Sequence, residues 1–289
     1  MQKRPQAGWR GRIAHMARIL ITGSNSGFGL LSTLTLARQG HDVIATMRDP
    51  AKGTALLEAC EAEGLAIEIR RLDVTVPASV DAAIHDPGEI DVLVNNAGFE
   101  VRAAIEQLTD ELMHQQLDTN VMGPLRTMRA VLTEWRLRGS GVIVNVSSIA
   151  GRVGNPFAGA YSASKYALEA MTEALHFEMA IFGIRCHLIE PGRFDTGFGS
   201  KIVLPDGWEG SIHQERHDAF RTALSSLDNS DHTADPQEVA DAIARAATDP
   251  STPLRTLCGD DARLIDGAKT SMSFEDFETS MRATLNWHE

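Results

Sequence analysis

The stretch Thr22–Gly29, TGSNSGFG, follows the short apolar segment Arg18–Thr22 and opens a segment of helical periodicity, Leu30–Gln39. Glycine has no Cβ, so the three glycines of this stretch permit a tight turn and let a ligand approach the backbone closely. Backbone N–H groups at a helix N-terminus bind phosphate oxygens. Glycines also occur in ordinary turns, so the position between a buried strand and a helix is what favours phosphate binding. The stretch therefore predicts a phosphate-binding loop in an α/β fold.

Short apolar segments alternate with segments of helical periodicity along the chain, as parallel βαβ folds require. The predicted strands are Arg18–Thr22, His41–Met47, Ala66–Leu72, Asp91–Asn95, Gly141–Ser147, Ile184–Glu190 and Arg255–Cys258. The predicted helices are Leu30–Gln39, Lys52–Glu63, Pro77–His85, Thr109 to about Arg136, Phe157–Phe182, Pro236–Thr248 and a last helix from Phe274. This order predicts an α/β fold, a single doubly wound (Rossmann) domain over residues 16–289 with a parallel seven-stranded sheet.

The periodicity weakens over residues 197–233, and we expect a small helical lid insertion there. Two interpretations stay open for four aromatic residues in and beside this segment, which either cover an apolar substrate or anchor the lid: Phe194, Phe198, Trp208 and Phe220. His213 and His217 have the spacing of a metal pair on a helix. No third ligand accompanies them, so we expect no metal and interpret both as surface histidines.

The composition excludes several classes of protein. The net charge of -12, without a basic stripe, argues against a nucleic-acid partner. No apolar run approaches the ~20 residues of a membrane helix, so no membrane partner is expected. The three cysteines have no metal-ligand spacing, which favours a reducing, cytoplasmic location. Residues 1–15 are basic but lack the apolar stretch of a secretory signal, and we expect a leader or extension outside the fold, which starts at Met16.

Several motifs, taken in order, resemble the short-chain dehydrogenase/reductase (SDR) family. The glycine loop has GxxxGxG spacing, and the resemblance extends from Met16 to about Ala262. The matching motifs are TGSNSGFG (Thr22–Gly29), LDVT (Leu72–Thr75), NNAG (Asn95–Gly98), Asn120, VNVSS (Val144–Ser148), YSASK (Tyr161–Lys165) and PGRFDT (Pro191–Thr196). The resemblance is to the branch of ~250 residues and, within it, to hydroxysteroid-dehydrogenase-type enzymes and bacterial carbonyl reductases.

The resemblance implies a nicotinamide dinucleotide cofactor. Asp73 would contact the adenine, Asn95 and Ala97 would support the strand and ribose region, and Thr196 would bond the carboxamide. The full implied set of cofactor-binding residues is Gly23, Ser24, Asn25, Ser26, Gly27, Phe28, Gly29, Arg48, Asp73, Val74, Asn95, Ala97, Gly98, Tyr161, Lys165, Pro191, Gly192, Phe194 and Thr196.

The end of the second strand bears on the choice between NAD and NADP. An NAD site places an acidic residue there to bind the ribose hydroxyls, whereas an arginine accommodates the 2′-phosphate. Met47 stands at the position of the acid and Arg48 follows it. Because a guanidinium pairs bidentately with phosphate, Arg48 favours NADP(H). Asp49 and Ser26 weaken this interpretation, so NAD(H) stays possible.

The catalytic residues implied by the resemblance are Ser148, Tyr161, Lys165 and Asn120. Tyr161 and Lys165 are four apart on a predicted helix and share a face. Hydride transfer to a carbonyl builds negative charge on oxygen, which requires a proton donor. A free phenol titrates near ~10, and we expect the Lys165 ammonium to lower that value. Ser148 would bond the substrate oxygen, and Asn120 would hold a water in a proton relay.

The sequence therefore predicts an NADP(H)-dependent oxidoreductase that interconverts a secondary alcohol and a ketone or aldehyde. We expect a small-molecule substrate that is bulky and apolar. The alternatives are an NAD(H)-dependent alcohol dehydrogenase, an enzyme that isomerises or dehydrates its substrate with bound cofactor, and a non-catalytic dinucleotide sensor. The resemblance also implies a homodimer or homotetramer formed through the two long helices.

Overall fold

The computed structural model describes residues 16–85, 88–225, 234–285 and 287. The predicted leader, residues 1–15, lies outside the described residues, as do residues 226–233 at the end of the predicted lid.

A parallel sheet of seven strands forms the centre of the described fold. The described residues form nine strands, of which seven belong to this sheet. They are β1 Arg18–Thr22, β2 Asp42–Met47, β3 Glu68–Arg71, β4 Val92–Asn95, β5 Glu100–Val101, β6 Gly141–Val146, β7 Ile184–Pro191, β8 Ile202–Val203 and β9 Arg255–Cys258. The order in the large sheet is β3-β2-β1-β4-β6-β7-β9, whereas β5 and β8 pair separately. All residues of β4 and β6 are buried, as expected for parallel strands covered on both faces. The predicted doubly wound, seven-stranded sheet is confirmed.

Helices cover both faces of this sheet. They are α1 Gly27–Arg38, α2 Thr54–Glu63, α3 Pro77–Ile84, α4 Asp110–Leu117, α5 Gly123–Arg138, α6 Gly159–Ala180, α7 Ile212–Ser225, α8 Gln237–Thr248, α9 Asp260–Ser271 and α10 Phe274–Thr284. Apolar residues of α1 and α8 pack on one face of the central strands. Those of α3, α5 and α6 pack on the other. None of these helices is long and apolar enough, over its described residues, to cross a membrane.

The predicted helix from Thr109 to Arg136 is divided in the structure. Thr109 caps α4 as expected, since its side chain accepts a hydrogen bond from Leu112 N. A π-helical turn over Asp118–Met122 then separates α4 from α5. Pro124 lies in the first turn of α5 and has no N–H to donate to the preceding turn, which favours the interruption. The predicted long helix is therefore present, but a π-helical turn interrupts its regular α-helical geometry.

The lid contains a 3₁₀ turn over Phe198–Lys201, the strand β8 and the helix α7. Trp208 and His217 are buried and pack edge-on against each other and against Phe157. The interpretation of His217 as a surface histidine is therefore wrong. The imidazole of His213 forms a hydrogen bond with the Glu106 carboxylate. The described residues contain no cluster of three metal-ligating side chains.

A buried cluster of charged side chains joins α6 to the strands β7 and β9. The Nε atom of Arg255 lies 3.0 Å from a Glu169 carboxylate oxygen and 3.5 Å from Glu190 Oε1. Glu190 is 1% exposed. Burial and the Glu169 charge raise the pKa of Glu190 well above its usual range, and the charges of Arg152 and Arg255 offset only part of this. Glu190 therefore holds its proton where a free carboxyl would lose it.

This cluster predicts a stability that falls as the pH rises. The pKa of Glu190 is higher in the folded than in the unfolded chain, where glutamate titrates near ~4.3. Unfolding thus releases a proton at neutral pH, and the folded state loses stability as the pH rises above ~4.3. We expect the Tm of Glu190→Gln relative to wild type to rise by about 2–4 °C or more between pH 5 and pH 8, measured by thermal unfolding.

Glu173→Gln is the matched control, because it removes a more exposed carboxylate from the same Arg255. An exposed ion pair contributes about 0–1 kcal/mol, so its effect on Tm should be small and constant. A Tm difference for Glu190→Gln that did not grow with pH would contradict the buried, protonated carboxyl.

Candidate active site

The glycine loop joins β1 to α1 and lies against the end of β4. Gly23 has a φ of +70°, and a Cβ there would lie 2.9 Å from Ala97 Cα. A Cβ at Gly29 would collide with the Gly23 carbonyl oxygen and the Asn96 side chain. Gly27 has a φ of +57° and approaches Thr196. The loop can hold this shape only with glycine at these positions, and it leaves backbone at the N-terminus of α1 open to a ligand.

Asn96 braces this loop, a role that the sequence did not assign to it. Its Nδ2 atom donates to the carbonyl oxygens of Thr22 and Gly23, at 2.9 and 3.1 Å. The Thr22 hydroxyl accepts from the N–H groups of Asn96 and Ala97, each at 3.0 Å. The loop is fixed further by Ser24, whose N–H donates to the Thr46 carbonyl and whose hydroxyl donates to the Ile21 carbonyl. The end of β4 therefore sets the position of the loop.

Asn95 lies in the core behind the loop. Its side chain donates to Asn145 Oδ1 at 2.9 Å and accepts from the Thr127 hydroxyl at 2.6 Å. Asn145 in turn donates to the Thr172 hydroxyl. This buried chain links α5, β4, β6 and α6. The residue thus supports the strand as expected, with its side chain turned into the core.

One cavity opens at the carboxyl ends of the central strands, where the strand order reverses between β1 and β4. Such a crevice is where doubly wound folds bind ligands. The predicted residues that line it are Ser26, Gly27, Phe28, Gly98, Ser148, Tyr161, Lys165, Pro191, Gly192, Phe194 and Thr196. The lining that was not predicted as cofactor-binding or catalytic consists of Asn96, Val146, Ser147, Phe198 and Lys201. The structure therefore brings the glycine loop, the Ser148 strand end and α6 to one cavity.

The remaining predicted residues lie outside the lining of this cavity, over the part of the chain that the structure describes. They are Gly23, Ser24, Asn25, Gly29, Arg48, Asp73, Val74, Asn95, Ala97 and Asn120. Of the aromatic residues in and beside the lid, Phe194 and Phe198 face the cavity, and the Phe198 ring centroid lies 6.2 Å from that of Tyr161. Trp208 and Phe220 are buried and anchor the lid.

Lys165 and Ser148 are both fixed by contacts at the carboxyl end of β6. Lys165 is buried, and its Nζ atom donates to the Val146 carbonyl oxygen at 2.8 Å. The same Nζ atom lies 5.5 Å from the centroid of the Tyr161 ring. The Ser148 hydroxyl oxygen accepts from Ala150 N at 3.1 Å. The Ser148 hydroxyl also donates to the Pro191 carbonyl oxygen at 3.4 Å, and Ser148 lines the cavity together with Tyr161. The three side chains thus meet at one wall of the cavity.

The electrostatics of these groups differ from the expectation. Burial raises the pKa of Tyr161, the Glu100 carboxylate raises it further, and the hydrogen bond with Ser148 lowers it. Burial lowers the pKa of Lys165 to about 8, and the Glu169 carboxylate acts in the opposite direction. The prediction that Lys165 lowers the Tyr161 pKa is therefore wrong for this structure, in which desolvation of the phenol is the largest effect.

Asn120 lies in the π-helical turn and is 1% exposed. Its Oδ1 atom accepts from Phe99 N at 3.2 Å, and its Nδ2 atom donates to the Phe99 carbonyl at 3.0 Å. Nδ2 also lies 3.2 Å from the Ser164 hydroxyl, which donates to the Tyr161 carbonyl. The π turn therefore connects the side chain of Asn120 to the N-terminal part of α6, close to Tyr161 and Lys165.

Two predicted residues, Arg48 and Asp73, lie at the ends of β2 and β3. Burial raises the pKa of Asp73. Hydrogen bonds from Thr75 and the nearby Arg48 charge lower the pKa and together outweigh burial, so the net shift is downward. Arg48 is exposed, and Asp49 turns away to cap the next 3₁₀ turn, accepting from Ala51 N at 3.1 Å. The carboxylate of Asp49 is therefore engaged by the backbone.

Val74 follows Asp73 and packs against α5. Its carbonyl oxygen accepts from Arg126 at 3.1 Å. A Cβ at Gly123 would lie 2.8 Å from a Val74 methyl group, so glycine permits this close approach.

A sequence profile for the short chain dehydrogenase family matches residues 17–205. The 3-ketodihydrosphingosine reductase of Bacteroides thetaiotaomicron is 34% identical over 242 residues, 83% of this chain and 87% of that protein. The 17-beta-hydroxysteroid dehydrogenase type 1 of Mus musculus is 36% identical over 248 residues, 82% of this chain and 72% of that protein. A variant of actinorhodin polyketide ketoreductase with NADPH superposes with a TM-score of 0.72 at 29% identity, over 86% of this chain and 97% of that one.

These matches cover most of the chain, including the glycine loop and the strand ends around the cavity. Together with the sheet order, they identify the chain as an oxidoreductase that belongs to the short-chain dehydrogenase/reductase family.

Proposed function

We propose that this protein is an NADP(H)-dependent oxidoreductase that interconverts a secondary alcohol and a ketone or aldehyde on a bulky, apolar substrate. The observation that carries the proposal is the meeting of Ser148, Tyr161 and Lys165 in the cavity that the glycine loop also lines. A phosphate-binding loop and a proton donor in one cavity are what hydride transfer to a carbonyl requires.

The residues of the cavity fit a nicotinamide dinucleotide. The glycine loop keeps its tight shape because a Cβ at Gly23 or Gly29 would collide with neighbouring protein atoms. Its residues Ser26, Gly27 and Phe28 line the cavity at the N-terminus of α1, which favours a pyrophosphate. Gly98, Pro191 and Thr196 line the space between this loop and Tyr161. When bound, the nicotinamide supplies or accepts the hydride.

Tyr161 is the proton donor in the proposed reduction. Burial raises its pKa, so the phenol holds its proton at neutral pH and can hydrogen-bond a substrate oxygen. The Ser148 hydroxyl stands beside it and offers a second hydrogen bond, which stabilises the charge that develops on that oxygen. In the direction of alcohol oxidation the phenol must first lose its proton, a step that its raised pKa opposes.

Lys165 and Asn120 support Tyr161 in this proposal. The Lys165 ammonium, fixed by the Val146 carbonyl, is expected to bond the nicotinamide ribose. The Asn120 side chain accepts a hydrogen bond from Phe99 N and donates one to the Ser164 hydroxyl on α6. We propose that this arrangement holds a water through which the proton of Tyr161 is replaced after each turnover.

Arg48 supports NADP(H) as the cofactor. It is exposed at the end of β2, and Asp49, the carboxylate beside it, is engaged as a cap. The preceding Met47 is buried and supplies no acid for the ribose hydroxyls. The similar ketoreductase was solved with NADPH, which supports the same choice. An NAD(H)-dependent alcohol dehydrogenase is the alternative.

The bulky, apolar substrate is supported by two observations. Phe194 and Phe198 line the cavity beside Tyr161. Two similar proteins carry names that refer to a ketodihydrosphingosine and a hydroxysteroid.

Because cells keep NADP largely reduced, we propose carbonyl reduction as the physiological direction. We also propose a cytoplasmic homodimer or homotetramer, with residues 16–289 as one domain whose lid spans residues 197–233.

Removal of the Tyr161 hydroxyl tests the proposed proton donor. Tyr161→Phe should bind NADPH as wild type does but reduce ketones about 10²–10⁴-fold more slowly, the usual contribution of a general acid. NADPH oxidation across a panel of bulky ketones measures the rate, and protein fluorescence measures binding. The control is Tyr166→Phe at the only other tyrosine, whose hydroxyl donates to the Arg152 carbonyl.

Near-normal turnover of Tyr161→Phe would exclude Tyr161 as the donor. Turnover by the wild type with no net oxidation of NADPH would favour isomerisation or dehydration of the substrate. Cofactor binding with no reaction on any ketone would favour a sensor.

Reversal of charge at Arg48 tests the choice of cofactor. Arg48→Asp should raise the KM for NADPH roughly ten- to a hundredfold, because charged hydrogen bonds contribute about 1.5–3 kcal/mol. The KM for NADH should change far less. Arg38→Asp is the control, since Arg38 ends α1 just before the start of β2 and does not line the cavity. Equal effects of Arg48→Asp on both cofactors would refute NADP(H) selectivity through this residue.

A further inference from the structure

Lys201 is a cationic residue of the cavity that the proposed chemistry does not use. It ends the 3₁₀ turn Phe198–Lys201 in the lid and lines the cavity together with Ser26 of the glycine loop and Tyr161. It stands directly before β8, which pairs with β5 and is held by the bond from Arg102 N to the Val203 carbonyl. The lid therefore places Lys201 in the cavity wall, directly before an anchored strand.

The ammonium of Lys201 has no protein partner among the described residues. Neither a salt bridge nor a hydrogen bond involves it there, and burial lowers its pKa. Removing a cation from water without a partner costs free energy, so such groups are normally paired. Lys165, the other lysine of the cavity, bonds the Val146 carbonyl and lies near the Glu169 charge. Lys201 thus carries a partly buried charge that no described protein group balances, and a bound anion would balance it.

The position of Lys201 also connects it to Tyr161. Phe198 belongs to the same 3₁₀ turn, and its ring packs against the Tyr161 ring at 6.2 Å between centroids. An anion bound by Lys201 would hold this turn, and with it the aromatic wall, beside the phenol. The same contact would offset the cost of burying the ammonium.

We propose that Lys201 binds an anionic phosphate or carboxylate oxygen inside this cavity. Two sources of that oxygen are possible: the pyrophosphate of the dinucleotide or an acidic group on the substrate. The first would make Lys201 a cofactor-binding residue contributed by the lid. The second would narrow the substrate class to ketones that carry a carboxylate or phosphate, and this part alone rests on the proposed function.

The first arm of the test measures binding without turnover. NADPH is titrated into Lys201→Met and followed by protein fluorescence. If Lys201 pairs with the pyrophosphate, the Kd should rise about tenfold or more, and Lys201→Arg should restore most of the affinity. Lys269→Met is the matched control, because Lys269 is a partly buried lysine that packs on Phe274 and Phe277 outside the cavity.

The second arm compares two ketones of the same carbon skeleton, one with and one without a terminal carboxylate. If Lys201 pairs with the substrate, Lys201→Met should lower kcat/KM for the acidic ketone about tenfold or more and leave the neutral ketone unchanged. The Kd for NADPH should then stay at the wild-type value.

The proposal is overturned if Lys201→Met leaves both the NADPH affinity and the preference for the acidic ketone within about twofold of wild type. The first arm measures NADPH binding alone, so its result stays valid even if the wild type reduces no ketone. A failure of the proposed function is therefore distinguishable from a failure of the proposal on Lys201. Thermal unfolding checks the fold of each variant. If Lys201→Met does not fold, Lys201→Gln replaces it in both arms.

Discussion

The hydrogen bond from Lys165 Nζ to the Val146 carbonyl oxygen is the contact on which the candidate site depends. It ties the N-terminal part of α6 to the last residue of β6, a central and fully buried strand. Ser148 follows this strand end by two residues, and Tyr161 lies one turn before Lys165 on the helix. The contact therefore sets the phenol, the hydroxyl and the ammonium relative to one another. A buried ammonium requires such a partner, so the arrangement and its stability have the same cause.

The polar residues of α6 extend the effect of this contact beyond the cavity. Lys165, Glu169 and Glu173 recur at intervals of four and share one face of the helix. The two carboxylates bind Arg255 on the outermost strand, β9. The Glu169 charge partly offsets the effect of burial on the Lys165 pKa. The charge state of the buried lysine thus depends on a cluster that also holds the edge of the sheet.

The parts of the fold that follow from local pattern could be predicted from the sequence. β4 and β6 are apolar except for one asparagine each because both faces are buried, and their predicted ends lie within one residue of the observed ones. Four-residue spacing on a helix placed Tyr161 and Lys165 on one face. The π turn around Asn120 could not be predicted, because one wide turn leaves the apolar periodicity on either side almost unchanged.

Other features depend on tertiary contacts that the sequence does not report. Lys201 reaches the cavity through the pairing of β5 with β8, and two-residue strands are too short to show alternation. His217 is buried only because Trp208 and Phe157 pack around it. The direction of the Tyr161 pKa shift is set mainly by burial, whereas spacing along α6 identified only the cationic neighbour.

A crystal structure of the chain with NADP⁺ tests the central claim most directly. The account predicts that the Tyr161 hydroxyl faces the nicotinamide ring. From there it could hydrogen-bond the oxygen of a substrate whose reacting carbon lies over the ring. Lys165 should lie beside the nicotinamide ribose, with the pyrophosphate on the glycine loop. A structure in which the phenol pointed away from the nicotinamide, or in which the dinucleotide bound elsewhere, would contradict the account.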